Sequence, residues 1–229
     1  MDEINWTEFW LDRWQQGRIQ FHQQNFEALL SRFPQVKDQV VFVPLCGKSK
    51  DMHYFAELGN RVIGVELSQS ACVAFMAENS LAYEQEEIQN FTVFKSKTIT
   101  LYCGDFFQLD LSLLEEVSLI YDRAALIALP SALRAQYANF ISHWVEARGS
   151  RAEKLVIYLI ALEYASETPL QPPFSVSAAE IKTLYAKQFQ IEKIFSEQDA
   201  QFTPTEPATE AQPAVESAYV LTSNLQRKG

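Results

Sequence analysis

The alternation of short apolar runs with helical stretches most limits what this chain can fold into. Residues 39–44 carry Val40-Val41-Phe42-Val43, a β-branched run suited to a strand buried on both faces. Residues 50–58 read as a helix and residues 61–66 as a second buried strand ending in Glu66. Residues 69–80 read as a helix capped by Ser68. This order implies parallel strands joined by right-handed crossovers. Residues 91–95 and 98–103 read as strands around a tight turn at Ser96-Lys97, and residues 117–122 as a buried strand ending at Asp122. Ser131 begins a helix to about residue 147, and residues 154–161 form a strand. Ser177 caps a helix to Lys187, and residues 189–195 and 218–222 are the closing strands. The predicted fold class is α/β, a doubly wound sheet.

Two segments stand outside this rhythm. Near the start, Trp6, Trp10 and Trp14 recur every fourth residue, which predicts a helix that Gly17 ends. Phe21-His22 follow in a loop, and a second short helix over 25–32 is stopped by Pro34. An ordinary amphipathic helix packed on the core would account for the tryptophan stripe. Towards the end, residues 196–217 are rich in Pro, Thr, Ala and Glu and include Pro204, Pro207 and Pro213, so they read as a long loop.

Composition excludes several classes of function. With 229 residues, 48% of them hydrophobic, the chain can bury one sizeable core. A formal net charge of −10 repels phosphate backbones, and the 19 Lys and Arg are scattered, so no nucleic-acid partner is expected. No apolar run reaches the roughly 18 residues that a membrane span needs. The acidic start lacks the layout of a signal peptide. Cys46, Cys72 and Cys103 are far apart and form no Cys-x-x-Cys pair. A reducing compartment, the cytoplasm, is the expectation, with no disulfide framework and no metal site.

In an open parallel sheet, ligands bind outside the carboxyl ends of the strands. The predicted strand tips offer Pro44-Leu45-Cys46-Gly47-Lys48-Ser49, Glu66, Gly104-Asp105-Phe106 and Asp122-Arg123. Glu66 follows Gly47 at about the 20-residue offset from which a carboxylate reaches both hydroxyls of a ribose. Gly47 would let backbone approach a ligand closely. A strand that merely ends in a charge would look the same. The dinucleotide fingerprint is absent, and Gly47-Lys48-Ser49 lacks the earlier glycine of a phosphate loop because Phe42 holds that place. A nucleoside cofactor without a pyrophosphate, such as S-adenosylmethionine, fits better than a nicotinamide dinucleotide. Asp105 suits an exocyclic amine and Phe106 a purine ring. A nucleoside-binding protein without catalysis remains open at this point.

Longer strings carry a resemblance. Val41-Phe-Val-Pro-Leu-Cys-Gly-Lys-Ser-Lys-Asp-Met52, Val62-Ile-Gly-Val-Glu-Leu-Ser68, Val93-Phe-Lys-Ser96, Leu101-Tyr-Cys103 and Tyr121-Asp-Arg-Ala-Ala-Leu126 resemble motifs of the thiopurine S-methyltransferase family, in its bacterial form. So do Trp10-Leu-Asp-Arg-Trp14 through Gly17 to Phe21-His22, Pro172-Pro-Phe174 and Tyr219-Val-Leu-Thr222. The likeness runs along nearly the whole chain in the right order.

That resemblance implies a class I methyltransferase, Rossmann-like: a mostly parallel seven-stranded sheet with an antiparallel last strand and an N-terminal helical lid. It implies one methyltransferase domain over 1–229, with the lid over 1–35, the core over 37–195, the loop over 196–217 and the last strand over 218–224. By the same resemblance Trp10, Trp14 and Phe21 cover S-adenosylmethionine, whose product is S-adenosylhomocysteine. Leu45, Gly47 and Glu66 take the methionine end and the ribose, and Asp105 and Phe106 flank the adenine. Arg123 stands near the methionine part and the acceptor, as the catalytic residue whose permanent charge steadies an anion. An ion pair with Asp122 or Glu66 is its structural alternative.

The implied activity is S-methylation of small aromatic or heterocyclic thiols, thiopurine-like, by a monomer. Selenium or tellurium species and other small soft nucleophiles are the alternative acceptors. An acidic thiol needs no strong general base. His22 is a possible proton relay but more simply a surface residue, and Cys46 is a small packing residue. Two departures from the family pattern stand out: residues 196–217 hold no Lys or Arg, and Ala124 follows Arg123 where a glycine is usual.

Overall fold

The computed structural model describes residues 4–19, 27–148, 154–165, 171–202 and 212–224; Phe21 and His22 lie outside them. The helices are α1 (Trp6–Gln15), α2 (Glu27–Leu30), α3 (Asp51–Glu57), α4 (Gln69–Glu78), α5 (Ala125–Ala128), α6 (Ser131–Arg148) and α7 (Ala178–Tyr185). The strands are β1 (Val40–Val43), β2 (Arg61–Glu66), β3 (Glu84–Ile88), β4 (Phe91–Lys95), β5 (Ile99–Cys103), β6 (Leu119–Asp122), β7 (Val156–Tyr164), β8 (Phe189–Phe202) and β9 (Gln212–Ser223). The chain forms two compact units, one of Met1–Ala28 and Gln35–Val117, the other of Leu29–Pro34 and Ser118–Gly229. No helix among the described residues is long and apolar enough to cross a membrane.

In the first unit the strand order is β3-β4-β5-β2-β1. β1 pairs with β2 and β2 with β5, both in parallel, with Val40 opposite Arg61 and Val62 opposite Ile99. All four residues of β1 are buried, as a strand covered on both faces requires. Phe42, Phe75 and Phe94 are fully buried, each stabilising the fold by about 1.5–3 kcal/mol. Gly64 is needed on β2 because a Cβ there would come within 2.7 Å of Leu101 Cδ2 and 2.8 Å of Cys46 Sγ. Ser68 caps α4 as expected, its Oγ accepting from the Ala71 N–H at 3.3 Å. α1 starts at Asn5, whose Oδ1 accepts from the Glu8 N–H, and packs on α4. It ends in a left-handed Gly17 at φ 65°.

The sequence reading assigns no strand to residues 84–88, and β3 is the finding that corrects it. Four of its five residues are polar and exposed, with only Ile88 apolar, so side-chain periodicity carries no signal. The strand exists because β4 offers it a backbone partner. Ile88 pairs with Phe91 across the two-residue turn Gln89-Asn90, with Gln89 at φ 53°. Asn90 Nδ2 then donates to Gln108 Oε1 at 3.1 Å, holding the turn.

In the second unit the order is β6-β7-β9-β8. β6 and β7 are parallel, while β9 runs antiparallel to both of its neighbours. The described residues thus hold nine strands of mixed direction, not seven mostly parallel ones. The expected loop at 196–217 is also corrected. Residues 196–202 and 212–217 extend the β8–β9 ladder, in which Ser196 Oγ and Ser217 Oγ lie 3.0 Å apart. An antiparallel ribbon needs backbone pairing and little apolar surface, so its composition resembles that of a loop. Pro213 is tolerated near the start of β9, a position that asks little of its missing N–H. Residues 203–211, with Pro204 and Pro207, lie outside the described residues.

The core of the second unit gathers Trp144, Tyr121, Tyr137, Tyr185 and Phe189, all fully buried. Phe33 stacks on Tyr158 with ring centroids 4.6 Å apart, and the Tyr158 hydroxyl donates to the Pro34 carbonyl at 3.0 Å.

Candidate active site

Three strand tips of the first unit meet at Glu66. Parallel pairing sets Glu66 opposite Cys103, and the Gly104 N–H donates to the Glu66 carbonyl at 2.9 Å. The Cys46 N–H donates to the Val65 carbonyl at 2.9 Å, which brings the turn after β1 over the end of β2. That turn contains two left-handed residues, Leu45 at φ 46° and Gly47 at φ 52°. For Gly47 this conformation is free of steric cost. For Leu45, half-buried, it costs about 1 kcal/mol or more.

Glu66 is 5% exposed. Its Oε2 accepts from the Gly47 N–H and its Oε1 from the Ser68 N–H, each at 2.8 Å. The Trp14 side chain also donates to it, and the nearby Leu67 N–H adds to the pull on its charge. Burial nevertheless dominates, and it pushes the carboxyl up to about 7 against the pull of these donors. The sequence reading paired Gly47 with Glu66 by their spacing and selected Trp14 apart from them, and the structure brings all three together. It did not find Ser68 as a donor to Glu66; the cap motif identified the residue, but only through its side chain.

Asp105 is exposed at the tip of β5. Its Oδ1 accepts from the Phe107 N–H at 2.9 Å and its Oδ2 from Gln108 Nε2 at 3.4 Å, so it caps the short 3-10 turn Phe106–Gln108. Phe106 requires a correction. Its ring is 2% exposed and stacks on Phe42, with centroids 6.4 Å apart, so the ring belongs to the core instead of lying open to a purine. The neighbouring Phe107 is half-buried and meets Phe106 edge-on at 5.3 Å. Trp10 is half-buried on α1, edge-on to Phe9 at 5.5 Å. Phe21 lies outside the described residues. Lys48 forms an ion pair with Glu78 of α4 at 2.5 Å, so the Gly-Lys-Ser string serves a tether within the unit.

The second unit holds Arg123, the residue that follows β6, with 7% exposure. Its neighbour Asp122 is 1% exposed. Asp122 Oδ1 accepts from the Ala125 and Leu126 N–H groups at 3.0 and 3.1 Å, and Oδ2 accepts from the Tyr137 hydroxyl at 2.7 Å. Burial pushes its carboxyl up to about 6. Oδ1 thus pins the start of α5 and Oδ2 ties the end of β6 to α6, which fixes the backbone that carries Arg123. Ala124 has φ −135°, open to any residue, so the glycine usual in the family is not demanded by the backbone here. Among the described residues no group of three His, Cys, Asp or Glu is placed to hold a metal ion.

The donor set of the first unit suits an adenosyl ligand: a buried carboxylate, a left-handed glycine turn with backbone groups at hand, and an exposed aspartate at adjacent tips. The thiopurine S-methyltransferase family model matches residues 6–224. The thiopurine S-methyltransferase of Nitrosomonas eutropha is 41% identical over 204 residues, 87% of this chain and 89% of its own. That of Shewanella baltica is 39% identical over 193 residues, 82% and 86% of the two chains. A solved SAM-dependent methyltransferase from Anabaena variabilis aligns with a TM-score of 0.65 over 95% of each chain. At 16% identity, that likeness speaks for the fold alone.

Proposed function

The chain belongs to the thiopurine S-methyltransferase family and is an S-adenosylmethionine-dependent methyltransferase, and from that premise we propose that it methylates small aromatic or heterocyclic thiols. The observation that carries the site assignment is the buried Glu66 carboxylate, anchored beside the left-handed Gly47 turn at the tips of β1 and β2. When bound, S-adenosylmethionine supplies a methyl group carried on a positively charged sulfur. In this reading Glu66 binds the ribose hydroxyls, and the backbone of Leu45 and Gly47 receives the methionine end. Asp105 binds the adenine amine, while Trp10 and Trp14 exclude water, which strengthens every charge interaction inside. Phe106 supports the site from the core, and Phe21 is assigned to the same cover by its place in the family motif.

Arg123 is assigned to the anionic acceptor. A guanidinium keeps its charge at every working pH, and a thiolate is the form that reacts. No side chain is required as a strong base, because heterocyclic thiols ionise near neutrality. The reading extends to a monomer in a reducing compartment, in keeping with three unbridged cysteines.

One observation favours a second acceptor class: residues 196–217 hold no Lys or Arg, where the family pattern carries basic residues. Small soft nucleophiles, such as selenium species, need no second cation.

Calorimetry comes first: S-adenosylmethionine and S-adenosylhomocysteine are expected to bind and NAD not to. Turnover is then compared across aromatic thiols, heterocyclic thiols and selenols. Arg123→Lys should retain more turnover than Arg123→Ala. Absence of turnover on every thiol and selenol would sink the acceptor assignment, and equal turnover in the two variants would remove Arg123 from it.

A further inference from the structure

Helix α5 follows Arg123 almost at once and has only four residues. A single turn of helix does not hold itself, because too few hydrogen bonds offset the cost of ordering it. Its start is pinned by Asp122. Its end is held by two donors from outside the helix. The Phe174 N–H donates to the Ile127 carbonyl at 2.6 Å, and Arg134 Nη1 donates to the Leu129 carbonyl at 2.8 Å. Carbonyls at a helix end lack a partner within the helix, so these two bonds settle where α5 stops.

Arg134 reaches further than α5. It lies in the first turn of α6, with a side chain only 7% exposed. Its Nε donates to Glu180 Oε1 at 2.7 Å, in the first turn of α7. Glu180 is itself placed by Ser177, whose Oγ accepts from the Glu180 N–H at 3.2 Å. The guanidinium carbon stands 6.0 Å from the centre of the Phe174 ring. One planar group thus joins α5, α7 and the strap of residues 172–176. The strap is fastened in turn to the end of β7. The Tyr164 hydroxyl donates to the Pro173 carbonyl at 2.6 Å, Ser175 Oγ accepts from the Tyr164 N–H at 3.0 Å, and the Val176 N–H donates to the Leu162 carbonyl at 2.8 Å. These bonds gather at the carboxyl ends of the parallel strands β6 and β7, where Arg123 stands and where open sheets bind their ligands.

We propose that Arg134 is a positioning residue for methyl transfer: by holding α5 and the strap together, it sets where Arg123 meets the acceptor. The inference rests on the assignment of Arg123 to the acceptor. It also needs an arginine in particular. A guanidinium donates along two edges of one rigid plane, here to a carboxylate and to a backbone carbonyl at once, whereas a lysine brings a single flexible point charge. Arg134→Lys therefore keeps a cation for Glu180 and loses the plane shared by the end of α5 and the strap.

The test is run on the whole chain. Methyl transfer is followed with thiophenol, or with whichever member of the thiol and selenol panel the unmodified chain turns over fastest. Arg134→Lys should raise the acceptor KM roughly fivefold or more, since a small misplacement of a positioning group is felt strongly at the reacting centre. The Kd for S-adenosylhomocysteine, assigned to Glu66 and the Gly47 turn, should stay at its unmodified value. Partial unfolding would act differently: it lowers apparent kcat and leaves KM in place. Glu180→Gln keeps an acceptor opposite Nε without its charge, so it should raise KM in the same direction by less. Arg123→Lys should raise KM too, and adding Arg134→Lys to it should raise KM no further, because both act at one point. An unchanged KM in Arg134→Lys, or independent effects that multiply in the double variant, would overturn the inference while leaving the Arg123 assignment standing. An acceptor KM unmoved by Arg123→Lys and Arg123→Ala, or no turnover on any member of the panel, would sink that assignment and this inference with it.

Discussion

The Trp14 side chain donates a hydrogen bond to the Glu66 carboxylate, joining helix α1 to the tip of β2. Together with the N–H groups of Gly47 and Ser68 it makes three donors on one buried carboxylate. A carboxylate offers about four acceptor sites, so under the proposed reading the two hydroxyls of a ribose would displace or share one of these bonds. The side-chain donor is the one that can leave without disturbing the turn.

Cofactor binding should therefore depend on pH. Glu66 carries its proton up to about 7, and two ribose hydroxyls are best held by the ionised form. Affinity for S-adenosylhomocysteine should rise as pH increases from 6 to 8, with a proton released on binding; calorimetry in buffers of different ionisation enthalpy measures this. Glu66→Gln should flatten the profile. Glu66→Ala should weaken binding by about 1–3 kcal/mol for each charge-assisted bond lost.

Trp14→Phe keeps an aromatic ring and removes the N–H. Without that donor the Glu66 carboxylate is less stabilised, so the midpoint of the pH profile should move upward. A midpoint that stays in place would separate the indole from the carboxylate.

Asp122 gives a second pH dependence. Its carboxyl is raised from 3.8 to about 6 by burial, so between these values the folded chain holds the proton that the unfolded chain loses. This group alone makes stability fall as pH rises from about 4 to about 6, and its contribution is flat above that. Asp122→Asn should remove that contribution, read as the difference between the two proteins in denaturant melts across the window. Tyr137→Phe should cost about 1–3 kcal/mol, because the buried Oδ2 loses its hydroxyl donor.

Gly64→Ala should destabilise the fold by about 1–3 kcal/mol through overpacking against Leu101 and Cys46. Denaturant midpoints measure the loss. Gly47→Ala should act differently, lowering cofactor affinity because φ 52° disfavours a side chain at the turn that Glu66 anchors.

The strands that build the site were legible because burial on both faces writes a continuous apolar run, as in Val40–Val43. Glu66 and Gly47 were legible from their spacing, and Ser68 from its capping pattern. Phe106 was misread because an aromatic at a strand tip looks the same whether its ring points outward or into the core. β3 and the outer half of the β8–β9 ribbon were missed for one shared reason. Their pairing is backbone to backbone, and polar side chains leave no periodic trace of it.

The exposed glutamates of β3 have a consequence for how this chain behaves when crowded. Glu84, Glu86 and Glu87 line the strand at the open end of the first unit's sheet order. A second molecule trying to add its own strand there would meet that row of negative charge with an equally acidic surface. Repulsion at this rim guards the molecule against edge-to-edge polymerisation, and it should fade in acid or concentrated salt, where fibrous aggregation would first be seen.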